Sequence, residues 1–150
     1  MSESSGRVLA LDLGDARVGL AISDPLGVTA QPAGRLECRG RERRLRRLRD
    51  LIAERGVVKV VVGRPLLLSG AVGPGAEKAR AFADALAEAA PGIAVEMWDE
   101  RLTTVEVERA MIADNVRRRR RREVVDSLAA VLILQSYLDA RAFRGAGRGP

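Results

Sequence analysis

The chain of 150 residues is 47% hydrophobic and 31% charged, a composition typical of one soluble globular domain with a sizeable core. It contains no histidine, which excludes Ser-His-Asp and Cys-His catalysis and histidine-ligated zinc. Aromatic residues make up only 3%, which disfavours a base-stacking platform for single-stranded RNA. The formal net charge of +6, carried mainly by arginine, indicates a polyanionic partner such as nucleic acid.

The compartment and domain organisation follow from equally simple features. No apolar stretch is long enough to cross a bilayer, and the N-terminal MSESSGR lacks the hydrophobic region of a signal peptide. The single Cys38 has no cysteine to pair with in this chain and is expected to be a small buried side chain. We expect a cytoplasmic protein that does not associate with membranes. One domain is expected over 1–150, ordered over about 7–143, with flexible ends at 1–6 and 144–150.

The first part of the chain predicts three strands and a helix. Arg7–Leu13 and Val18–Ser23 form two strands joined by the tight turn G-D-A-R, and an extended stretch covers about Val28–Cys38. A helix is predicted over Glu42–Arg55, where leucine and isoleucine form one apolar stripe, and Gly56 ends it.

The second part alternates strands and helices. Residues 57–63, V-V-K-V-V-V-G, are typical of a strand buried on both faces, and a glycine-rich loop follows. The next predicted elements are a helix over Ala76–Ala90, a strand over Ile93–Trp98, a helix from the N-cap Thr103 to about Asp114, and a helix over Val124–Phe143 that is buried nearly all round. This order predicts an α/β fold with a mixed five-stranded sheet, in which an antiparallel meander is extended by parallel crossovers and helices cover both faces.

Four acidic residues lie at the ends of predicted elements that such a sheet could bring close together. Asp12 ends the first strand, Asp99 and Glu100 follow the last strand, and Asp126 opens the final helix. With the first strand central, these segments can meet at one end of the sheet without a histidine or lysine partner. Gathered carboxylates are stable when hard divalent cations lie among them, and oxygen ligands suit Mg²⁺ or Mn²⁺. Paired ions about 3.5–4 Å apart are a known arrangement for phosphodiester hydrolysis.

Four segments of the chain carry a family resemblance. They are D-L-G-D-A-R-V-G-L-A-I-S-D, V-V-V-G-R-P-L-L-L-S-G-A-V-G-P, D-E-R-L-T-T and V-D-S-L-A-A-V-L-I-L-Q-S-Y-L. In this order they resemble the YqgF/RuvX family, and the resemblance extends from about Arg7 to Leu138. It implies an RNase H-like fold related to RuvC-type Holliday junction resolvases. It also implies a cytoplasmic nuclease that matures the 5′ end of pre-16S ribosomal RNA or resolves Holliday junctions.

The resemblance implies roles for the acids. The D-x-G acid is Asp12, the acid of D-E-R is Glu100 with Asp99 as its neighbour, and the helix acid is Asp126, and together they would act as catalytic residues and as ligands of two Mg²⁺ or Mn²⁺ ions. Strand alternation puts Asp99 and Glu100 on opposite faces, so only one of them would enter the site directly. The chain departs from the family at Leu67, where many members have asparagine and so a polar contact for the substrate.

Arginines near these acids are the expected contacts to nucleic acid. They are Arg17, Arg64, Arg101, Arg117, Arg118, Arg119, Arg120, Arg121 and Arg122. The last six are interpreted as a loop beside Asp126 that grips the phosphate backbone, and the alternative is a self-repelling solvated linker. Arg101 either binds phosphate or pairs with the acids. The arginines of the first helix are expected to lie on an ordinary outer face.

Structural roles compete with functional ones at three positions. Asp12 precedes a leucine and a glycine and can simply close a turn. Asp126 can act as the N-cap of the final helix. Trp98 is expected to be a core residue rather than a base-stacking one.

Two other functions stay open on the sequence alone. Nucleotide-binding ATPases of the actin type also place D-x-G in a hairpin, although they need two domains and this chain has no repeat. A nucleic-acid-binding module that has kept the fold without catalysis would fit the altered loop at Leu67. The substrate is either pre-16S rRNA or branched DNA, and the protein either a monomer or a homodimer.

Overall fold

The computed structural model describes residues 6–14, 16–64, 74–99 and 118–147. Its elements are β1 (Arg7–Leu13), β2 (Val18–Ser23), β3 (Ala30–Leu36), α1 (Arg41–Arg55), β4 (Val57–Arg64), α2 (Pro74–Ala89), β5 (Ala94–Asp99) and α3 (Arg118–Gly147). The predicted helix from Thr103 to Asp114 lies outside the described residues, and so do Glu100, Arg101 and Arg117.

The five strands form one mixed sheet in the order β3-β2-β1-β4-β5. β2 pairs antiparallel with both β1 and β3, whereas β4 pairs parallel with both β1 and β5. The predicted α/β fold with a meander, parallel crossovers and a central first strand is therefore confirmed. Because β1, β4 and β5 are parallel, all three end at the same end of the sheet, which we call the carboxyl end.

One face of the sheet is covered by α1 and α2. Leu9 and Leu11 of β1 pack on this face with Leu48 of α1 and Leu86 of α2, and all four side chains are fully buried. Leu9 and Leu11 share this face because side chains two residues apart in a strand point the same way. α1 presents to it the leucine and isoleucine stripe that the sequence predicted. Gly56 ends α1 in the left-handed conformation, with φ 67°, as expected.

The other face is covered by α3. Val8 and Ala10 of β1 pack against a buried stripe of α3 that includes Ala130, Ile133 and Leu134. The prediction that the last helix is buried nearly all round was wrong, because over 127–142, where its side chains are described, those of the outer face are partly buried or exposed. A helix that covers one face of a sheet has one side against the core and one side towards solvent.

Trp98 belongs to this second core, as predicted. Its ring meets the ring of Tyr137 edge-on, with the centroids 5.4 Å apart, and its indole N–H donates to Ser136 Oγ at 3.1 Å. The hydrogen bond satisfies the polar end of a side chain whose ring lies in the apolar layer under α3.

The last helix is longer than predicted at both ends, because α3 runs from Arg118 to Gly147 rather than from Val124 to Phe143. The arginine run from Arg118 is thus helical, and both the loop and the linker interpretations were wrong for its described part. Arginine is among the better helix formers, so a run of like charges need not end a helix. α3 also takes in the first residues of the tail that was expected to be flexible. Among the described residues, no helix is long and apolar enough to span a bilayer.

Candidate active site at the carboxyl end of the sheet

Asp12 lies near the end of the central strand, where it pairs in register with Gly19 of β2. It alternates with Val8 and Ala10, so it lies on the α3 face of the sheet. Its side chain is partly buried, and no hydrogen bond or ion pair joins its carboxylate to any residue that the structure describes. Removing a carboxylate from water costs free energy unless a donor or cation approaches it. This position therefore suits a ligand for a cation.

The turn that follows Asp12 requires its glycine. The Gly14 N–H donates to the carbonyl of Arg17 at 2.9 Å, which closes the turn between β1 and β2. A Cβ on Gly14 would lie only 2.7 Å from that carbonyl oxygen, closer than real Cβ contacts. The glycine of D-x-G therefore permits a close backbone approach that fixes the end of β1.

Arg44 of α1 braces the same turn from the other face of the sheet. Its Nη2 donates to the carbonyl of Gly14 at 2.7 Å and its Nε donates to the carbonyl of Cys38 at 2.9 Å. The expectation that all α1 arginines lie on an outer face was wrong for Arg44, which is partly buried. The sequence held a signal for this, because Arg44 precedes the buried Leu48 by four residues and so lies on the same side of the helix.

The backbone of Asp99 ends β5 at the carboxyl end of the sheet. In the parallel register Leu11 of β1 aligns with Val62 of β4, and Arg64 of β4 aligns with Asp99. Asp99 is therefore two strands away from Asp12 and near the same level. Glu96 and Trp98 occupy the positions of β5 that face α3, as their contacts with Lys59 and Ser136 show.

The backbone of Asp126 lies at this end of the sheet as well. The next residue, Ser127, is buried and its Oγ donates to the carbonyl of Gly34 in β3 at 2.7 Å. Gly34 precedes Arg35, and Arg35 pairs with Gly19 of β2. Gly19 in turn pairs with Asp12 of β1, so Gly34 lies near the level of Asp12. Asp126 also lies more than two turns past the start of α3, so the N-cap interpretation was wrong.

A later part of α3, about two turns past Ser127, contacts the opposite end of the sheet. Gln135 accepts a hydrogen bond from the Ala30 N–H at 2.9 Å and donates to the carbonyl of Val28 at 3.2 Å. Two anchors thus fix the direction of α3, because the Ser127 contact and the Gln135 contact lie at different ends of β3. Within the described side chains, no three acidic or cysteine groups gather where they could hold a metal ion.

The predicted nucleic-acid contacts are distributed around this end of the sheet. Arg17 is exposed in the turn after β1, Arg64 ends β4, and Arg118 begins α3 with the four arginines that follow it. Arg101 and Arg117 lie outside the described residues. Basic residues on three separate segments of the chain are thus close in the sequence to the strand ends and to the helix that carry the acids.

Two charged groups with shifted pKa values lie at the other end of the sheet. Hydrogen bonds from the backbone N–H groups of Thr29, Val28 and Leu26 lower the pKa of Asp24. Burial opposes the charge of Lys59, but hydrogen bonds with Glu96 and Tyr137 outweigh it and raise its pKa. Asp24 follows the end of β2 and Lys59 lies near the start of β4, and both positions are at the end of the sheet opposite Asp12. The two groups therefore stabilise the fold rather than form part of the candidate site.

The class of protein follows from this architecture, because a five-stranded sheet in the order β3-β2-β1-β4-β5, with only β2 antiparallel and helices on both faces, is the arrangement of the RNase H-like fold. A solved structure of T. thermophilus RuvC in complex with a Holliday junction substrate matches with a TM-score of 0.54 and 16% sequence identity. The match covers 91% of this chain and 96% of that chain. At this identity the likeness concerns the fold.

The sequence comparisons identify the family. The family model described as "RuvX: Holliday junction resolvase" matches residues 6–140. A relative from Pelotomaculum thermopropionicum, named "Putative pre-16S rRNA nuclease", is 48% identical over 136 residues, which covers 90% of this chain and 88% of the relative. A relative of the same name from Listeria monocytogenes is 47% identical over 135 residues, which covers 89% and 97%. The chain belongs to the RuvX family.

Proposed function

We propose that this chain is a nuclease that depends on a divalent metal and hydrolyses phosphodiester bonds at the 5′ end of pre-16S rRNA. The observation that carries the proposal is the partly buried carboxylate of Asp12, which has no protein partner among the described residues. The names of the relatives support the substrate, since both relatives are named as pre-16S rRNA nucleases. Such a substrate would place the protein in the cytoplasm.

The proposed ligands are Asp12, Glu100 and Asp126. Asp12 offers hard oxygen donors at the end of a rigid central strand, and the backbone of Asp126 reaches the same end of the sheet through the Ser127 anchor. Glu100 has the same parity in the sequence as Glu96 and Trp98, which face α3 as Asp12 does. That parity favours Glu100 over Asp99 as the direct ligand, and leaves Asp99 as a neighbour of the site.

Mg²⁺ or Mn²⁺ bound as a pair by these oxygen ligands would activate water and neutralise charge on the phosphate. The protein's own part is to hold its carboxylates in place and to orient the substrate. Arg44 and the Gly14 turn fix the end of β1, and the buried Ser127 fixes α3 in front of it. Arg17, Arg64, Arg101 and the arginines from Arg117 to Arg122 would bind the phosphates that flank the scissile bond.

The test is a cleavage assay with Mn²⁺ and then Mg²⁺, on a 5′-extended 16S precursor fragment, a four-way DNA junction and a linear duplex. We expect cutting of the precursor that is lost in Asp12→Asn and retained in Asp84→Asn, a matched substitution of an exposed aspartate on α2. Loss of the metal ligand should reduce the rate by at least about a hundredfold. Calorimetric titration with Mn²⁺ gives a second readout, in which Asp12→Asn weakens binding.

Holliday junction resolution is the second candidate, because the matching family model carries that description. Cutting of the four-way junction in preference to the precursor would favour it, and symmetric cutting of two strands would require a homodimer. Tight binding without cutting of any substrate, in both the parent protein and Asp12→Asn, would refute the nuclease and leave a nucleic-acid-binding module.

A further inference from the structure

A cavity of about 380 Å³ opens at the carboxyl end of the sheet, on the face covered by α1 and α2. It lies between the turn after β1, the start of α1 and the first turns of α2, and we call it the α1/α2 cleft. Leu13 lines it and packs with the core of this face, whereas Asp12 lies on the α3 face. The α1/α2 cleft and the Asp12 carboxylate are therefore on opposite sides of the end of β1.

The lining of the α1/α2 cleft is cationic. Arg41, Arg44 and Lys78 line it, and the other described residues of its lining are glycine or apolar. Arg41 and Lys78 are exposed, and neither forms an ion pair with a residue that the structure describes. Three positive charges around one cavity raise the local concentration of anions.

Arg44 gives the α1/α2 cleft a fixed element. Its Nη2 donates to the carbonyl of Gly14 and its Nε donates to the carbonyl of Cys38, and these two hydrogen bonds hold the guanidinium in place. A held guanidinium loses less side-chain entropy on binding an anion than a free one. α1 and α2 both begin at the cleft, and their aligned backbone dipoles add to the positive potential there.

We propose that the α1/α2 cleft binds a backbone phosphate of the strand that is cut at Asp12. Gly14 is two residues from Asp12, which is at most about 7 Å along an extended chain. A strand that crosses the turn after β1 would place its scissile phosphate on the α3 face and a phosphate a few nucleotides away in the cleft. The arginines would donate paired N–H groups to that phosphate, and Lys78 would supply a point charge. The inference rests on the proposed function for the identity of its ligand.

The test compares two double variants that remove the same charge. The cleft pair removes the two exposed cations of the α1/α2 cleft and consists of Arg41→Gln with Lys78→Gln. The control pair removes two exposed arginines of α1 that do not line the cleft and consists of Arg43→Gln with Arg47→Gln. Binding of the precursor fragment and the four-way junction is measured in EDTA over a range of salt concentrations, so that no cutting occurs. All four substitutions are of exposed side chains, and thermal unfolding checks that both proteins fold.

We expect the cleft pair to weaken binding about tenfold more than the control pair and to reduce the slope of log affinity against log salt by about one. Equal effects of the two pairs would overturn the proposal, because they would show only the general attraction of a basic surface. Inorganic phosphate and a nucleoside monophosphate are titrated in parallel. If either binds the cleft while nucleic-acid binding is indifferent to the cleft pair, the cavity is a small-anion site and the proposal fails.

The two proposals fail in different ways. Absence of cutting by the parent protein with either metal would refute the nuclease, whereas the binding experiment in EDTA would still report on the cleft. Conversely, cutting that depends on Asp12, with binding that ignores Arg41 and Lys78, would refute the cleft alone.

Discussion

Substitution of Gly14 by alanine tests whether the turn after β1 holds the candidate site in place. The new Cβ would lie 2.7 Å from the carbonyl oxygen of Arg17, which also accepts the Gly14 N–H at 2.9 Å. Backbone, not a flexible side chain, must therefore move to relieve this contact. Overpacking of this kind costs about 1–3 kcal/mol. At about 2–4 °C per kcal/mol for a chain of this size, the melting temperature should fall by about 2–12 °C.

The functional effect should exceed the effect on stability. Asp12 is two residues from the displaced backbone, and Arg44 holds the same turn through the Gly14 carbonyl. Misplacement by about 1 Å can cost a hundredfold in rate, so a smaller shift should cost about tenfold or more in cleavage. The assay measures initial rates on the preferred substrate with Mn²⁺, at a temperature where thermal unfolding shows both proteins folded.

Gly56→Ala is the matched control. Gly56 has φ 67° and nothing within 4 Å of an added Cβ, so the substitution strains the backbone without a collision. The left-handed conformation costs an alanine about 1–2 kcal/mol, which is similar to the loss expected at Gly14. Gly56 precedes β4 at the far end of the sheet, so its cleavage rate should be unchanged. An equal loss of rate in the two variants, or no loss in either, would refute the positioning role of the turn.

Two further predictions concern contacts that hold the fold. Ser127→Ala removes a buried hydrogen bond to the Gly34 carbonyl and should lower the free energy of unfolding by about 1 kcal/mol in urea denaturation; an unchanged midpoint would show that α3 is anchored without it. Asp24 has a pKa below its usual 3.8, because backbone N–H groups of Thr29 and Val28 donate to its carboxylate at 2.8 Å. The stabilisation that the Asp24 carboxylate gives the folded state is therefore present above about pH 4, and it is lost as the pH falls through the lowered pKa of the folded state. The melting temperature of Asp24→Asn should consequently depend less on pH below about 4 than that of the parent protein. Parallel curves for the two proteins would contradict the assignment.

Much of the fold could be predicted because its signals are local. The bounds of β1 and β2 agree with the sequence prediction, and the predicted apolar stripe of α1 is the side of that helix that is buried. Alternation in a strand and the stripe of a helix are set by the geometry of the element itself, so they survive folding unchanged. The end of a helix is less well specified, and α3 therefore extends into an arginine run that the sequence suggested was irregular.

For the candidate site, the sequence supplied candidate ligands but not the residues that position them. Asp12, Glu100 and Asp126 were selected by residue type, by position at element ends and by resemblance to a family. Arg44 and Ser127 were not selected, because each acts through a backbone carbonyl that is distant in the sequence. Since every residue has a backbone carbonyl, the sequence does not show which carbonyl will accept a hydrogen bond from a distant side chain.

The sequence by itself determined the order of the elements, the class of fold and the choice of acids as the candidate ligands, because hydrophobic periodicity and side-chain chemistry belong to each residue and its near neighbours. Only the tertiary structure decided which side chains share a face at the end of β1. It set Asp12 towards α3 and Leu13 towards the α1/α2 cleft, and it brought Arg44 to the turn. These relations depend on the register between strands and on the direction in which α3 crosses the sheet, and both are fixed by contacts between residues far apart in the chain.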